Sequence, residues 1–211
     1  MAIRAVFLLA LFSCTQCKNL TCKQIREIVD GHNLRRWALA KGEVSGQPAA
    51  SSMNYMVWDD ELAAKASKWA SRNEFKHNPD STIGTGRFET GENIYMFSTT
   101  GRNLKLNITD FLDSWFNEYK YYTYGSLSDA DFETPDEKQI GHYTQMAWSN
   151  STHVGCGVSQ FAGGKWNSQL IVCNYGPAGN VIGASPYKSG TPSKSLICAI
   201  GNCKSPYGDK C

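Results

Sequence analysis

What the chain lacks sets its first limits. None of its 211 residues belongs to an apolar run long enough to cross a bilayer. Its net charge of +2 and pI near 8.1 are too mild to argue for nucleic acid or an anionic membrane as the main partner. A zinc ribbon needs Cys-x-x-Cys pairs at two places, and the chain does not have them. Also missing are a His-Glu-x-x-His helix, a Gly-x-Ser-x-Gly nucleophile elbow and an Arg-Gly-Asp tripeptide. Two common hydrolase designs and the simplest integrin ligand are therefore excluded.

What is present points to export. Arg4, the short apolar run 5–12 and the small-residue zone 13–17 read as a secretory signal, with cleavage after Cys17 and Thr15 at the −3 position. A mature chain of about 190 residues suits one domain, 18–187, plus a tail, 188–211. Removing Cys14 and Cys17 leaves Cys22, Cys156, Cys173, Cys198, Cys203 and Cys211, an even set that predicts three disulfides in an oxidising compartment. Three sequons, at Asn19, Asn107 and Asn150, are candidate glycosylation sites.

Taken in order, residues 21–41 read as a first helix. Ile25, Ile28, Val29, His32 and Arg36 share one face, and Thr21 with Gln24 forms a capping box. The plain reading of His32 and Asn33 is burial against neighbouring backbone. A loop, 42–52, leads to a second helix capped by Asp59, with Leu62, Ala66, Trp69 and Ala70 as its apolar stripe and its end near Phe75, ahead of Asn78-Pro79. Residues 80–90 read as a loop able to fold back over the core. A third helix, capped by Asn107 or Thr109, carries Phe111, Trp115 and Tyr122 on one face together with Glu118. A carboxylate in that position is costly unless it is paired or leans out to water.

After an acidic loop, 125–138, the run 141–148 (Gly-His-Tyr-Thr-Gln-Met-Ala-Trp) places His142 on a short helix with Met146 one turn later. Runs 154–160 and 169–174 flank Ala162-Gly163-Gly164-Lys165 and read as an antiparallel hairpin. Its turn centre between Gly164 and Lys165 sets Cys156 against Cys173, which predicts that bridge. The tail holds three cysteines, Cys198, Cys203 and Cys211, so one of them should reach Cys22; which one stays open.

Run 141–148 and run 170–180 (Leu-Ile-Val-Cys-Asn-Tyr-Gly-Pro-Ala-Gly-Asn) resemble the two signatures of the CAP superfamily, which comprises cysteine-rich secretory proteins, antigen 5 and pathogenesis-related 1 proteins. His32-Asn33 with Arg36, and Gly91-Glu92-Asn93-Ile94, match its two shorter motifs. Within the superfamily the chain is most similar to antigen 5 and venom-allergen-like proteins of invertebrates, through Gln47-Pro48-Ala49 and Gly141–Gln145. The resemblance implies an α+β fold, a three-layer α-β-α sandwich with a central, mainly antiparallel sheet. It also implies a cavity lined by His77, Glu92, Glu118 and His142. Many antigen 5 proteins have a cysteine where this chain has Asn73, so the bridge that would brace the His77 loop is absent.

Two neutral imidazoles beside two carboxylates suit a divalent cation, zinc or magnesium, not required for the fold. His77 and His142 would be ligands, and Glu92 and Glu118 ligands or orienting partners. The plainer alternative is a self-satisfied His–Glu network that only ties four segments together. The resemblance further implies a secreted binding or effector protein, taking a sterol, a fatty acid or another small ligand, or acting on host proteins as a venom- or saliva-type allergen. A protease reading is weaker, and catalytic residues stay unassigned, because no nucleophile and no oxyanion donors can be placed. Tyr119, Tyr121, Tyr122 and Tyr124 could line an apolar groove or simply pack the sheet.

Overall fold

The computed structural model describes residues 19–211 except 103, 134, 136 and 137, so the secretory signal expected over 1–17 lies outside the described residues. Helix α1, Cys22–Lys41, begins at Thr21, whose Oγ1 accepts the Gln24 N–H while Gln24 Oε1 accepts the Thr21 N–H. It closes at Gly42, where φ is +74° and an unbranched backbone is favoured. Its buried face holds Ile25, Ile28, Val29, His32, Asn33, Arg36 and Leu39, as the period predicts.

Helix α2, Asp60–Ala70, is capped by Asp59, which accepts the Leu62 N–H at 2.9 Å. It stops five residues short of the predicted end. The chain turns out of helical geometry at Asn73, with φ at +60°, before the Asn78-Pro79 step can act. Helix α3, Ile108–Phe116, is capped by Asn107, not Thr109, and tightens into a 3-10 turn over Asn117–Lys120. Glu118 therefore sits on that turn and not on the helix itself; frayed last turns commonly wind this way. Helix α4, Gly141–Met146, carries His142.

One four-stranded sheet joins these helices, in the order β1-β3-β4-β2. The hairpin of β3 (His153–Gly163) and β4 (Trp166–Gly176) turns at Gly164 and Lys165 and sets Cys156 opposite Cys173. Two further strands had no clear period in the sequence. β2 (Gly91–Thr99) runs antiparallel to β4, and the two-residue β1 (Val57–Trp58) runs parallel to β3, making the sheet mixed.

Helices α1, α3 and α4 cover one face, around Phe111, Trp115, Met146, Ile171, Tyr175 and the Cys156–Cys173 bridge. The other face packs Ile94, Leu170 and Val172 against Ala66 and Ala70 of α2. There α2 lies almost on the strand. A Cβ at Gly155 or Gly157 would fall 2.2 or 2.3 Å from the helix backbone, so only glycine allows the approach.

The tail is pinned where the cysteine count required. Cys211 bridges Cys22, and Cys198 bridges Cys203. Bridges between Ala50 and Ser189 and between Asn54 and Ile197 lay the tail along the loop after α1. Among the described residues no helix is long and apolar enough to cross a membrane. All three sequon asparagines, Asn19, Asn107 and Asn150, are exposed.

Candidate functional site

The short helix α4 is held in place by the residue the first helix seemed least suited to bury. Arg36 is fully buried, and all five of its N–H donors are used. Nε donates to Asn54 O, Nη1 to Met146 O and Trp148 O, and Nη2 to Ser149 O and Ser151 O, at 2.8–3.1 Å. Burial lowers its pKa to about 9, which leaves the guanidinium charged at neutral pH. The sequence placed Arg36 on the apolar face; its role as the clamp on the end of α4 was not read from it.

A second buried chain of hydrogen bonds runs from α1 to the backbone of His142. His32 Nδ1 lies 2.7 Å from Ile28 O and Nε2 lies 2.9 Å from the Tyr175 hydroxyl. The carbonyl can only accept, so Nδ1 carries the proton and Nε2 accepts from Tyr175. Asn93 Nδ2 donates to the Tyr175 oxygen and to His142 O, at 3.2 and 3.1 Å. Burial lowers the His32 pKa to about 3 and raises that of Tyr175, so both stay neutral.

This framework presents a cavity of about 300 Å³ lined by His77, Glu92, Asp131, Phe132, His142 and Asn180 among others. His142 Nδ1 is 2.6 Å from Glu118 Oε1, and Glu118 Oε2 accepts the backbone N–H groups of His142 and Tyr143 at 2.9 and 3.0 Å. The His142 ring lies nearly parallel to Trp115, 12° between planes. Across the cavity His77 Nδ1 is 2.9 Å from Glu92 Oε1, which also accepts the Asn78 N–H, while Glu92 Oε2 takes Asn174 Nδ2. The loop carrying His77 lacks the disulfide brace of many antigen 5 proteins; Trp69 Nε1 donates to Lys76 O in its stead.

Three of the four residues proposed from the sequence, His77, Glu92 and His142, line one cavity. Glu118 lies behind His142 as its partner. A carboxylate can only accept, so Nδ1 donates in both pairs and Nε2 is left as the basic nitrogen of each neutral ring. This carboxylate–imidazole arrangement is the usual support of a histidine that ligates a metal, and the donor set fits a borderline cation such as zinc. Among the described residues no group of three or more His, Cys, Asp and Glu side chains is arranged to hold a metal together. What the geometry shows is that each carboxylate contacts the Nδ1 of one imidazole. Among the described residues no serine, threonine or cysteine lines the cavity.

The tyrosines do not pack the sheet as expected: Tyr119, Tyr122 and Tyr124 join a cluster with Leu39, Tyr143 and Tyr187 that contains no strand residue. Tyr122 and Tyr143 meet at 5.8 Å between ring centres and Tyr124 and Tyr187 at 5.0 Å, while Tyr121 points to solvent. The two signature runs are tied to each other: Gln145 Oε1 accepts the Gly179 N–H, and Asn180 Nδ2 donates to Gly141 O.

Comparison with known proteins follows the same lines. Residues 29–175 match the family described as CAP, the cysteine-rich secretory protein family. The chain is 38% identical to Venom allergen 5.02 of Dolichovespula maculata over 169 residues, covering 77% of this chain and 75% of that protein. It is 39% identical to a Venom allergen 3 homolog of Dinoponera quadriceps over 175 residues, with 80% and 74% covered. Among solved structures, NaASP2 with Zn2+ superposes with a TM-score of 0.69 at 29% identity, over 84% of this chain and 92% of that one.

Proposed function

The chain belongs to the CAP family, and from that premise we propose that it is a secreted binding protein whose His77 and His142 together take a divalent cation. The observation that carries this reading is that each imidazole is fixed through Nδ1 by its own carboxylate, with both rings on one cavity. Imidazole nitrogens favour zinc over magnesium, and two protein ligands leave the remaining positions of the cation to water. NaASP2, a structural neighbour at 29% identity, was solved with Zn2+, which supports zinc as the kind of cation. Secretion is supported by the three disulfides, which belong to an oxidising compartment. Calorimetric titration with zinc near neutral pH should give one site, lost in the His77→Ala, His142→Ala double variant. Unchanged binding in that variant overturns the assignment.

A second binding reading rests on a separate place. Leu34 and Trp37 of α1, Tyr55 ahead of β1 and Leu196 of the tail line an apolar groove of about 590 Å³. Its volume suits a small apolar ligand, and Lys194 at its rim suits a carboxylate, so the occupant we propose is a fatty acid. Labelled palmitate should be retained by the protein and by the double histidine variant, and released on Leu34→Glu substitution. Retention of cholesterol alone would replace the fatty acid by a sterol, and retention of neither would reject the groove.

A further inference from the structure

The small net charge of the chain conceals an uneven distribution. No aspartate or glutamate occurs between Glu92 and Asp110, nor between Glu137 and Asp209. The distal half of β2, the loop after it and the whole β3–β4 hairpin fall inside these acid-free stretches. Two side-chain bonds fasten that loop across the end of the hairpin. Gln160 Nε2 donates to Leu104 O at 3.1 Å and Asn167 Nδ2 donates to Gly101 O at 3.0 Å. They bring Arg102 and Lys105 onto one cleft of about 490 Å³ with Phe161 and Ala162. Lys165 follows at the turn, over the ring of Trp166. Among the described residues none of these three cations has a carboxylate partner.

The same end of the sheet exposes large apolar side chains. Phe97 is 48% exposed, Trp166 46% and Met96 42%. In the register of the sheet Thr99 pairs with Asn167 and Gly163 with Trp166, so these residues share one end. Alternation along the strands puts Met96 and Trp166 on the α2 side and Phe97 on the other, so the tip is apolar on both faces. Glu92 and the cavity lie at the opposite end of β2.

We propose that this tip, Phe97, Arg102, Lys105, Lys165 and Trp166, docks the protein on a bilayer surface that contains anionic phospholipid. Aromatic rings suit the headgroup region, where an apolar body and a polar edge are both satisfied, and cations around them suit phosphate and carboxylate headgroups. A soluble polyanion would use the cations but would leave Phe97, Met96 and Trp166 without a partner. Docked by the hairpin end, the protein would hold its histidine cavity away from the membrane and open to solution. This inference is independent of the cation and fatty-acid readings.

Co-sedimentation with vesicles tests it, using phosphatidylcholine alone and phosphatidylcholine with about one third phosphatidylserine at low ionic strength. The protein should bind the mixed vesicles, with release by salt. Each cation near such a surface contributes about five-fold to binding, so the Arg102→Glu, Lys105→Glu variant should lose at least twenty-five-fold. The Phe97→Ala, Trp166→Ala variant should lose binding while keeping its charge, and Lys188→Glu in the tail should bind as the parent does. Circular dichroism of each variant separates lost docking from lost folding. No binding to the mixed vesicles, equal binding by the tip variants, or retention on heparin without vesicle binding would each overturn the proposal.

Discussion

The two histidine–carboxylate pairs facing the cavity share one design but differ in how firmly the molecule holds them. In both, the carboxylate takes the imidazole Nδ1–H and a neighbouring backbone N–H. The carboxylates are almost equally buried, with 8% of the Glu92 side chain and 13% of the Glu118 side chain exposed. The imidazoles are not: 61% of the His77 side chain is exposed against 16% for His142. His142 starts a helix, stacks on Trp115, and sits on a segment whose end Arg36 clamps. His77 sits in a loop held by Glu92 and Trp69. One imidazole is therefore built into the framework, while the other stands on a loop and is largely open to solvent.

The largest expected effect comes from removing the brace under the fixed imidazole. Arg36→Lys offers three donors for five carbonyls and should destabilise the fold by about 3–5 kcal/mol in chemical denaturation. If Arg36→Lys were nearly neutral, His142 would be no better held than His77.

Acid should act next, again through the framework. Protonation of His32 is favoured only in the unfolded chain, because its pKa is about 6.5 there and about 3 in the fold. Stability is therefore full above pH 6.5 and falls by up to roughly 1.4 kcal/mol per pH unit below it, toward pH 3. Denaturation midpoints measured from pH 7 to pH 4 should show that slope, and His32→Gln should flatten it.

Substituting the carboxylates tests the shared part of the design. Glu118→Gln and Glu92→Gln should each weaken zinc binding by about 10–100-fold, the usual cost of losing an orienting partner, as read by calorimetry. Equal losses would show that the two pairs orient their ligands equally well despite the difference in burial. The smallest effects separate the two imidazoles most cleanly. His142→Ala should cost about 1–2 kcal/mol of stability and His77→Ala less than about 0.5, by thermal or chemical melts.

Much of this was legible in the sequence because local rules coincide with tertiary ones in particular segments. The capping box at Thr21, the apolar period of α1 and the glycine turn between two cysteines each encode their own geometry, and the structure has all three. The strands β1 and β2 were not legible. β1 is two residues long, and β2 mixes Glu92, Asn93 and Ser98 with its apolar positions because both its faces meet polar partners along its length. Glu118 stood out as a carboxylate on an apolar stripe, although the stripe ends in a 3-10 turn before reaching it. His77 and Glu92 follow from no period and came only through the family resemblance. Asn93 and Tyr175 lie inside quoted motifs, yet their part in fixing the His142 backbone needs the sheet register, which brings Asn93 opposite Cys173 and Tyr175 opposite Gly91.

The central claim, that each carboxylate turns its imidazole so that Nε2 is the nitrogen offered to a cation, is tested most directly by long-range proton–nitrogen NMR of the histidine side chains during a zinc titration. The geometry predicts the Nδ1-protonated tautomer for both His77 and His142 in the zinc-free protein, and zinc should then shift the Nε2 resonances of both rings. An Nε2-protonated tautomer at either ring, or zinc that leaves both Nε2 resonances unmoved, would contradict it.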